Sequence, residues 1–255
     1  MTNSKNTSQA PKTNVFQSLW LILASCTLIA DTCIRSITRN LFGKVTRPWV
    51  DKRMDTWSRH MMKLWRITCI IHNPKKTHPK AGQPTIIMCN HSSLLDIPLS
   101  YRTFPDISLR MLAKKEMSNI PTMGRAMKAS EFLFVDRKNR RQAIRDLAAI
   151  QDLLKTGIVM WIAPEGTRST DKHVGPFKKG GFITAIQTQA TIIPIGIRGA
   201  YDLLPSRTAK CYPNQTAEVH VGEPIDASQF TLETKEELIK QTRRSIKELA
   251  GDTAP

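Results

Sequence analysis

From residue 84 onward, short apolar runs alternate with longer amphipathic stretches, and this alternation leaves few architectures open. Ile86–Cys89, Ile107–Leu112, Phe132–Val135, Ile158–Ala163, Thr191–Ile197 and Ala217–Val221 read as strands, being short and rich in β-branched or aromatic residues. Leu94–Phe104, Lys115–Met127 (interrupted by Pro121 and Gly124), Arg140–Leu154 (closed by Gly157) and Gly180–Gln189 read as helices. Thr234-x-x-Glu237 has capping-box spacing and opens a last helix to Ala250. Strands alternating with helices predict an α/β fold, a largely parallel sheet flanked by helices.

The residues ahead of this region have a different character. Residues 1–14 are polar and predict a disordered tail. No charge falls between Lys12 and Asp31, and the centre of that stretch is Leu19-Trp20-Leu21-Ile22-Leu23-Ala24. Its length is marginal for a transmembrane helix, which needs about 20 apolar residues. Lys5 and Lys12 ahead of it also suit a signal peptide, and Leu23-Ala24-Ser25-Cys26 looks like a lipoprotein cleavage site. Against both, apolar residues continue to Ile34, and Arg35, Arg39, Lys44 and Arg47 follow. The positive charge after the segment predicts a helix that dips into or barely spans the bilayer, with the bulk of the protein on the cytoplasmic face (inner membrane if bacterial).

A second helix is predicted over 49–71. Val50, Met54, Trp57, Met61, Leu64 and Trp65 form one apolar stripe, and Lys52, Arg53, Arg59, Lys63 and Arg66 lie largely off it. Such a stripe serves equally a helix packed on a core. The tryptophans and basic flanks favour a membrane-lying helix, so residues 15–71 are expected to form a membrane-associating hairpin ahead of an α/β domain over 72–255.

Charge distribution supports a membrane partner. The net charge is +17, and residues 1–80 carry 14 Lys/Arg against 3 Asp/Glu. A basic arm mixed with Leu, Ile, Met and Trp suits anionic lipids. Zinc-finger spacing and a helix-turn-helix signal are both absent, so no nucleic acid partner is expected. The five cysteines are irregularly spaced without Cys-x-x-Cys, which argues for a reducing compartment and against a disulfide framework or metal site.

The chemistry-bearing residues stand just after strands. Asn90-His91-Ser92-Ser93-Leu94-Leu95-Asp96 follows the first of them. Ser92 or Ser93 can cap the next helix, and Asp96 in its first turn can turn back to accept the imidazole Nδ1–H. Nε2 is then free as a base. Taken alone, a His and an Asp at this spacing are also a common structural pair. Arg137 follows Phe132–Val135, Glu165 and Arg168 follow Trp161-Ile162-Ala163-Pro164, and Pro194 sits inside Thr191–Ile197, which suits an edge or a bulge. In open α/β sheets ligands bind beyond the carboxyl ends of the strands, so the His, two Arg and Glu are expected in one cleft. Arg is suited to phosphate recognition, and Gly166 permits close approach of backbone N–H groups to an anion.

Asn-His-x-Ser-x-x-Asp, Phe-Val-Asp-Arg, Pro-Glu-Gly-Thr-Arg-Ser and Ile-Pro-Ile, in this order, resemble the glycerolipid acyltransferases, in particular the 1-acylglycerol-3-phosphate (lysophosphatidic acid) acyltransferases. The resemblance covers roughly residues 84–200. Ala163 departs from it, since Phe usually precedes Pro-Glu-Gly, and Ala129-Ser130 stands where a Gly is common. The resemblance implies acyl transfer from acyl-CoA or acyl carrier protein to lysophosphatidic acid, with no cofactor beyond that donor and no metal. It implies His91 as base and Asp96 as its orienting partner. Arg137, Arg168 and Lys115 would bind the phosphate, Glu165, Gly166 and Thr167 the acceptor, and Pro194 would lie on the acyl-donor side. Lyso-ornithine lipid or another lysolipid as acceptor, and a silent membrane-binding scaffold, are the alternative readings. An esterase is disfavoured because no Gly-x-Ser-x-Gly elbow is present.

Overall fold

A computed structural model describes residues 14–135 and 149–253. The predicted tail, Arg137 and most of the helix predicted over Arg140–Leu154 lie outside the described residues. Two helices lead the chain, α1 (Val15–Leu41) and α2 (Arg47–Trp65). Then follow β1 (Thr68–His72), β2 (Thr85–Cys89), α3 (Asp96–Thr103), β3 (Leu109–Lys114), α4 (Pro121–Ala129) and β4 (Leu133–Val135). The second half holds α5 (helical residues 149–155), β5 (Val159–Ile162), α6 (Gly180–Gln187), β6 (Thr191–Arg198), α7 (Ala200–Leu203), β7 (Thr216–Val221), β8 (Ile225–Asp226) and α8 (Lys235–Ala250).

The strands form one sheet in the order β1-β7-β6-β2-β5-β3-β4, with β8 paired to β6. β6, β2, β5, β3 and β4 run parallel, while β7 and β8 are antiparallel to β6. The α/β expectation holds. β2 lies at the centre and is buried along its whole length, which explains its unbroken apolar sequence. One face of the sheet packs on Trp57, Met61, Trp65, Leu99 and Phe104 from α2, α3 and the turn after α3. The other packs on Ile150, Leu154, Phe182, Leu238 and Ile246 from α5, α6 and α8.

Several predicted boundaries shift. α2 ends at Trp65 rather than at residue 71, because Arg66 adopts a left-handed conformation and closes the helix. The β-branched run behind it pairs with β7 as an edge strand. The capping box at Thr234 does not form. Its Oγ1 instead accepts the Thr231 N–H, and its carbonyl accepts the Glu237 N–H. β6 is neither an edge nor bulged. Pro194 faces Met88 of β2 in register, while its carbonyl accepts the Gly222 N–H. The missing N–H therefore falls in the gap between β7 and β8, where no ladder bond is due.

α2 packs on the core, so its apolar stripe does not face a membrane. Its apolar stripe is the buried stripe, with Val50, Trp57, Met61 and Trp65 enclosed. Its acidic residues are used inward as well. Asp51 takes the fully buried Arg110 at 2.7 Å and Ser108 at 2.6 Å, and Asp55 pairs with Arg102. At its start Arg47 grips Glu131 at 2.7 Å.

α1 has the opposite polarity. Ser18 and Ser36 are buried against the protein, while Leu19, Trp20, Leu23 and Ile34 are 55%, 60%, 60% and 57% exposed. Ser18 receives the Cys211 N–H, Ser25 receives the Trp65 indole N–H at 3.0 Å, Arg53 pairs with Asp31, and Arg39 stacks over Trp49. The helix is thus docked along its length through Ser18, Leu21, Ser25, Cys33 and Ser36, and it leaves Leu19, Trp20, Leu23 and Ile34 outward.

Candidate active site

The site is built at the carboxyl end of β2. Asn90 ends that strand by imitating a strand residue: its amide donates to the Ile197 carbonyl at 2.9 Å and its carbonyl accepts the Ile197 N–H at 2.8 Å. The loop behind it is therefore fixed to β6 before the chain turns into α3.

His91 and Asp96 meet as expected. Nδ1 of His91 lies 2.8 Å from Asp96 Oδ2, with the His side chain 16% exposed and the Asp side chain fully buried. The helix begins at Asp96 itself, not at Leu94, and neither serine caps it with its side chain. The cap runs in reverse: Asp96 Oδ2 accepts the N–H groups of Ser92 and Ser93, both at 2.8 Å. A carboxylate only accepts, so Nδ1 carries the proton and Nε2 presents its lone pair. Among the described residues nothing bonds to Nε2. Asp96 Oδ1 is buried without a hydrogen-bond partner among them, which leaves its negative charge available to an imidazolium.

Trp161 of β5 stands edge-on to the imidazole, ring centroids 5.8 Å apart, and its indole N–H is held by Ser100 Oγ at 2.8 Å. Ser93 cannot act as a nucleophile. It is fully buried, its hydroxyl donates to the Leu204 carbonyl at 2.9 Å, and its oxygen receives the Leu95 N–H at 3.2 Å.

Glu165 does something the sequence did not suggest. Oε1 accepts the backbone N–H of His91 at 2.8 Å and Oε2 that of Gly175 at 2.9 Å. Each oxygen accepts one backbone N–H, so Glu165 clamps two loops. Burial raises its pKa, and the N–H groups of Gly175 and His91 work against that rise. Gly175 is needed for close approach, since a Cβ there would stand 3.1 Å from Oε2. Gly166 takes φ +77 at the turn and leads the chain to Ser169, whose N–H donates to the His91 carbonyl at 2.7 Å.

Arg168 is thereby brought next in sequence to a residue bonded to His91. It is half-buried and makes no hydrogen bond or ion pair with a described residue. Thr167 is exposed on the same turn, and Lys115 is exposed in the short 3-10 helix after β3. Pro194 is buried within the sheet, paired with Met88 of β2 and beside Gly222. Asn90, Trp161 and Gly175 were not singled out by sequence reasoning. Asn90 was visible as part of the motif, whereas a tryptophan in a strand reads only as core.

Residues 69–198 match the family model described as Acyltransferase. An uncharacterized acyltransferase of Schizosaccharomyces pombe is 35% identical over 165 residues, 63% of this chain and 58% of that protein. The 1-acyl-sn-glycerol-3-phosphate acyltransferase alpha of Mus musculus is 30% identical over 170 residues, 66% of this chain and 59% of that protein. The chain thus spans less than two thirds of the length of these relatives. The crystal structure of the 1-acyl-sn-glycerophosphate (LPA) acyltransferase PlsC from Thermotoga maritima shares the fold, with a TM-score of 0.72 at 24% identity over 95% of this chain and 98% of that one.

Proposed function

This chain belongs to the acyltransferase family, and from that premise we propose that it transfers a fatty acyl group from acyl-CoA or acyl carrier protein to the sn-2 hydroxyl of lysophosphatidic acid, giving phosphatidic acid. The observation that carries this reading is the 2.8 Å His91–Asp96 bond with an unengaged Nε2. Nε2 takes the proton of the lipid hydroxyl as that oxygen attacks the thioester carbonyl. The new C–O ester bond forms, the C–S bond breaks, and the imidazolium returns its proton to the leaving thiolate. General-base assistance contributes about 10²–10⁴ in rate. No serine hydroxyl is bonded to His91 among the described residues, which favours direct transfer over an acyl-enzyme.

Arg168 supplies an uncommitted guanidinium for the acceptor phosphate. Arg137 and Lys115 are proposed to assist it. The scheme needs no cofactor beyond the thioester substrate. Leu94, in the same loop as His91, is exposed and suits an acyl-chain environment.

The exposed apolar side chains of α1 support a place on a membrane. A water-exposed helix face is usually polar, whereas α1 leaves Leu19, Trp20, Leu23 and Ile34 exposed together. Because α1 is docked along its length, its exposed side is read as embedded in one leaflet, with the basic residues behind it drawn to anionic lipids on the cytoplasmic face. Incubating the protein with acyl-CoA and a panel of lysolipids tests the reading. Phosphatidic acid from lysophosphatidic acid is the expected product. A preference for lyso-ornithine lipid would reassign the acceptor, thioester hydrolysis alone would indicate an esterase, and no turnover with any acceptor would indicate a scaffold.

A further inference from the structure

At the β1 edge of the sheet, away from the acyl-transfer site, three side chains converge. Parallel pairing places His72 directly opposite His220, and Glu218 lies two residues before His220 on the same face of β7. The two imidazoles stack with centroids 4.3 Å apart and planes at 13°. Glu218 Oε2 lies 2.8 Å from His220 Nε2 and 3.7 Å from His72 Nε2. All three ligand atoms fall within 4.8 Å of one another. We propose that His72, Glu218 and His220 form a binding site for a divalent transition-metal ion of the zinc type.

The argument is one of donor chemistry and charge. Zinc takes imidazole nitrogen at about 2.0–2.1 Å and carboxylate oxygen at about 2.0–2.2 Å, so tetrahedral ligands sit ~3.3 Å apart. The observed 2.8 and 3.7 Å bracket that span. Two nitrogens and one oxygen suit zinc, nickel or copper and not magnesium or calcium, which prefer all-oxygen shells. Without a metal, one carboxylate oxygen must serve two stacked rings, and protonating both sets two cations face to face. A divalent ion satisfies both neutral rings and the carboxylate together. Arg198 is the cross-strand partner of Glu218, but its guanidinium goes to the carbonyls of Leu249 at 2.8 Å and Glu248 at 3.2 Å, leaving Glu218 to the histidines.

The side chains are 45%, 37% and 19% exposed for His72, Glu218 and His220, so an ion enters without opening the fold and keeps a position for water. Among the described residues, β1 joins the sheet only through β7. A bound ion would therefore pin the edge strand. The cysteine spacing gave no sign of a metal site, and these three ligands lie far apart in the chain with no short motif between them.

The test uses the full chain without a polyhistidine tag, stripped with chelator and titrated with zinc against a chromophoric indicator. One zinc per chain with micromolar or tighter affinity is expected. His72→Ala, His220→Ala and Glu218→Gln should each weaken it at least tenfold. Zinc should raise the unfolding temperature of the wild type and not of His72→Ala. His72→Gln, read in parallel, serves if the alanine variant fails to fold. Absence of stoichiometric binding by the wild type overturns the proposal, as does undiminished binding by the His72 variants, which would place the ion on another histidine or on the exposed Cys26.

Discussion

Glu165 holds the backbone of His91: its Oε1 accepts the His91 N–H at 2.8 Å, while Ser169 of the same turn donates to the His91 carbonyl at 2.7 Å. His91 is therefore positioned twice, through Asp96 at its ring and through the Pro164–Ser169 turn at its peptide groups. In the proposed reaction Glu165 acts by placing His91.

Glu165→Gln should lower kcat about 10- to 100-fold, the scale expected when a catalytic group is misplaced by a fraction of an ångström to an ångström. An amide has one acceptor oxygen, so either His91 or Gly175 loses its partner. The pH profile of kcat/KM should keep its shape, since Glu165 exchanges no proton with substrate. A displaced acidic limb in that profile would instead make Glu165 a second base.

Arg168→Ala should raise KM for lysophosphatidic acid about tenfold or more, with a smaller change for the acyl donor, because a charge-assisted hydrogen bond contributes roughly 1.5–3 kcal/mol. Steady-state kinetics with each substrate varied in turn separates the two. Equal effects on both would mark Arg168 as structural.

Much of this was legible beforehand, for reasons specific to each element. β2 announces itself because a central parallel strand is apolar on both faces, and His91–Asp96 because the two residues are five positions apart, across the short turn into α3. The stripe of α2 was equally legible, but its partner was not. A helix facing a core and a helix facing lipid show the same apolar periodicity, and only the inward ion pairs of Asp51 and Asp55 decide between them. β1 was hidden behind that helix because Arg66, whose left-handed turn ends it, is an ordinary helix former. The role of Glu165 was hidden because its partners are backbone groups, which carry no sequence signal.

Trp20→Glu with Leu23→Glu should shift the protein from the lipid pellet to the supernatant in a vesicle sedimentation assay. Both side chains lie on the exposed face of α1, so the fold should persist and the far-UV circular dichroism spectrum should be unchanged. Undiminished pelleting would contradict the anchor assigned to α1.

Glu131 makes α2 docking sensitive to acid. The Arg47 hydrogen bond holds the Glu131 carboxyl below its ordinary value of 4.5, and burial opposes that effect only partly. A depressed carboxyl contributes stability that is complete above the unfolded value and is lost as pH falls through the folded one. The unfolding-temperature gap between wild type and Glu131→Gln should accordingly be constant well above pH 4.5 and narrow as the pH falls below it. Glu131 is about one third exposed, so the effect is modest. A gap that stays constant through that fall would show that the ion pair contributes nothing to docking.

The most direct measurement compares wild type and His91→Ala with radiolabelled acyl-CoA, in the presence and absence of lysophosphatidic acid. The account predicts labelled phosphatidic acid from the wild type only when acceptor is present, no label on the protein, and a loss of at least about 10³-fold in His91→Ala with vesicle binding intact. Turnover by His91→Ala within tenfold of wild type, or a stable acyl-protein adduct formed without acceptor, would contradict it.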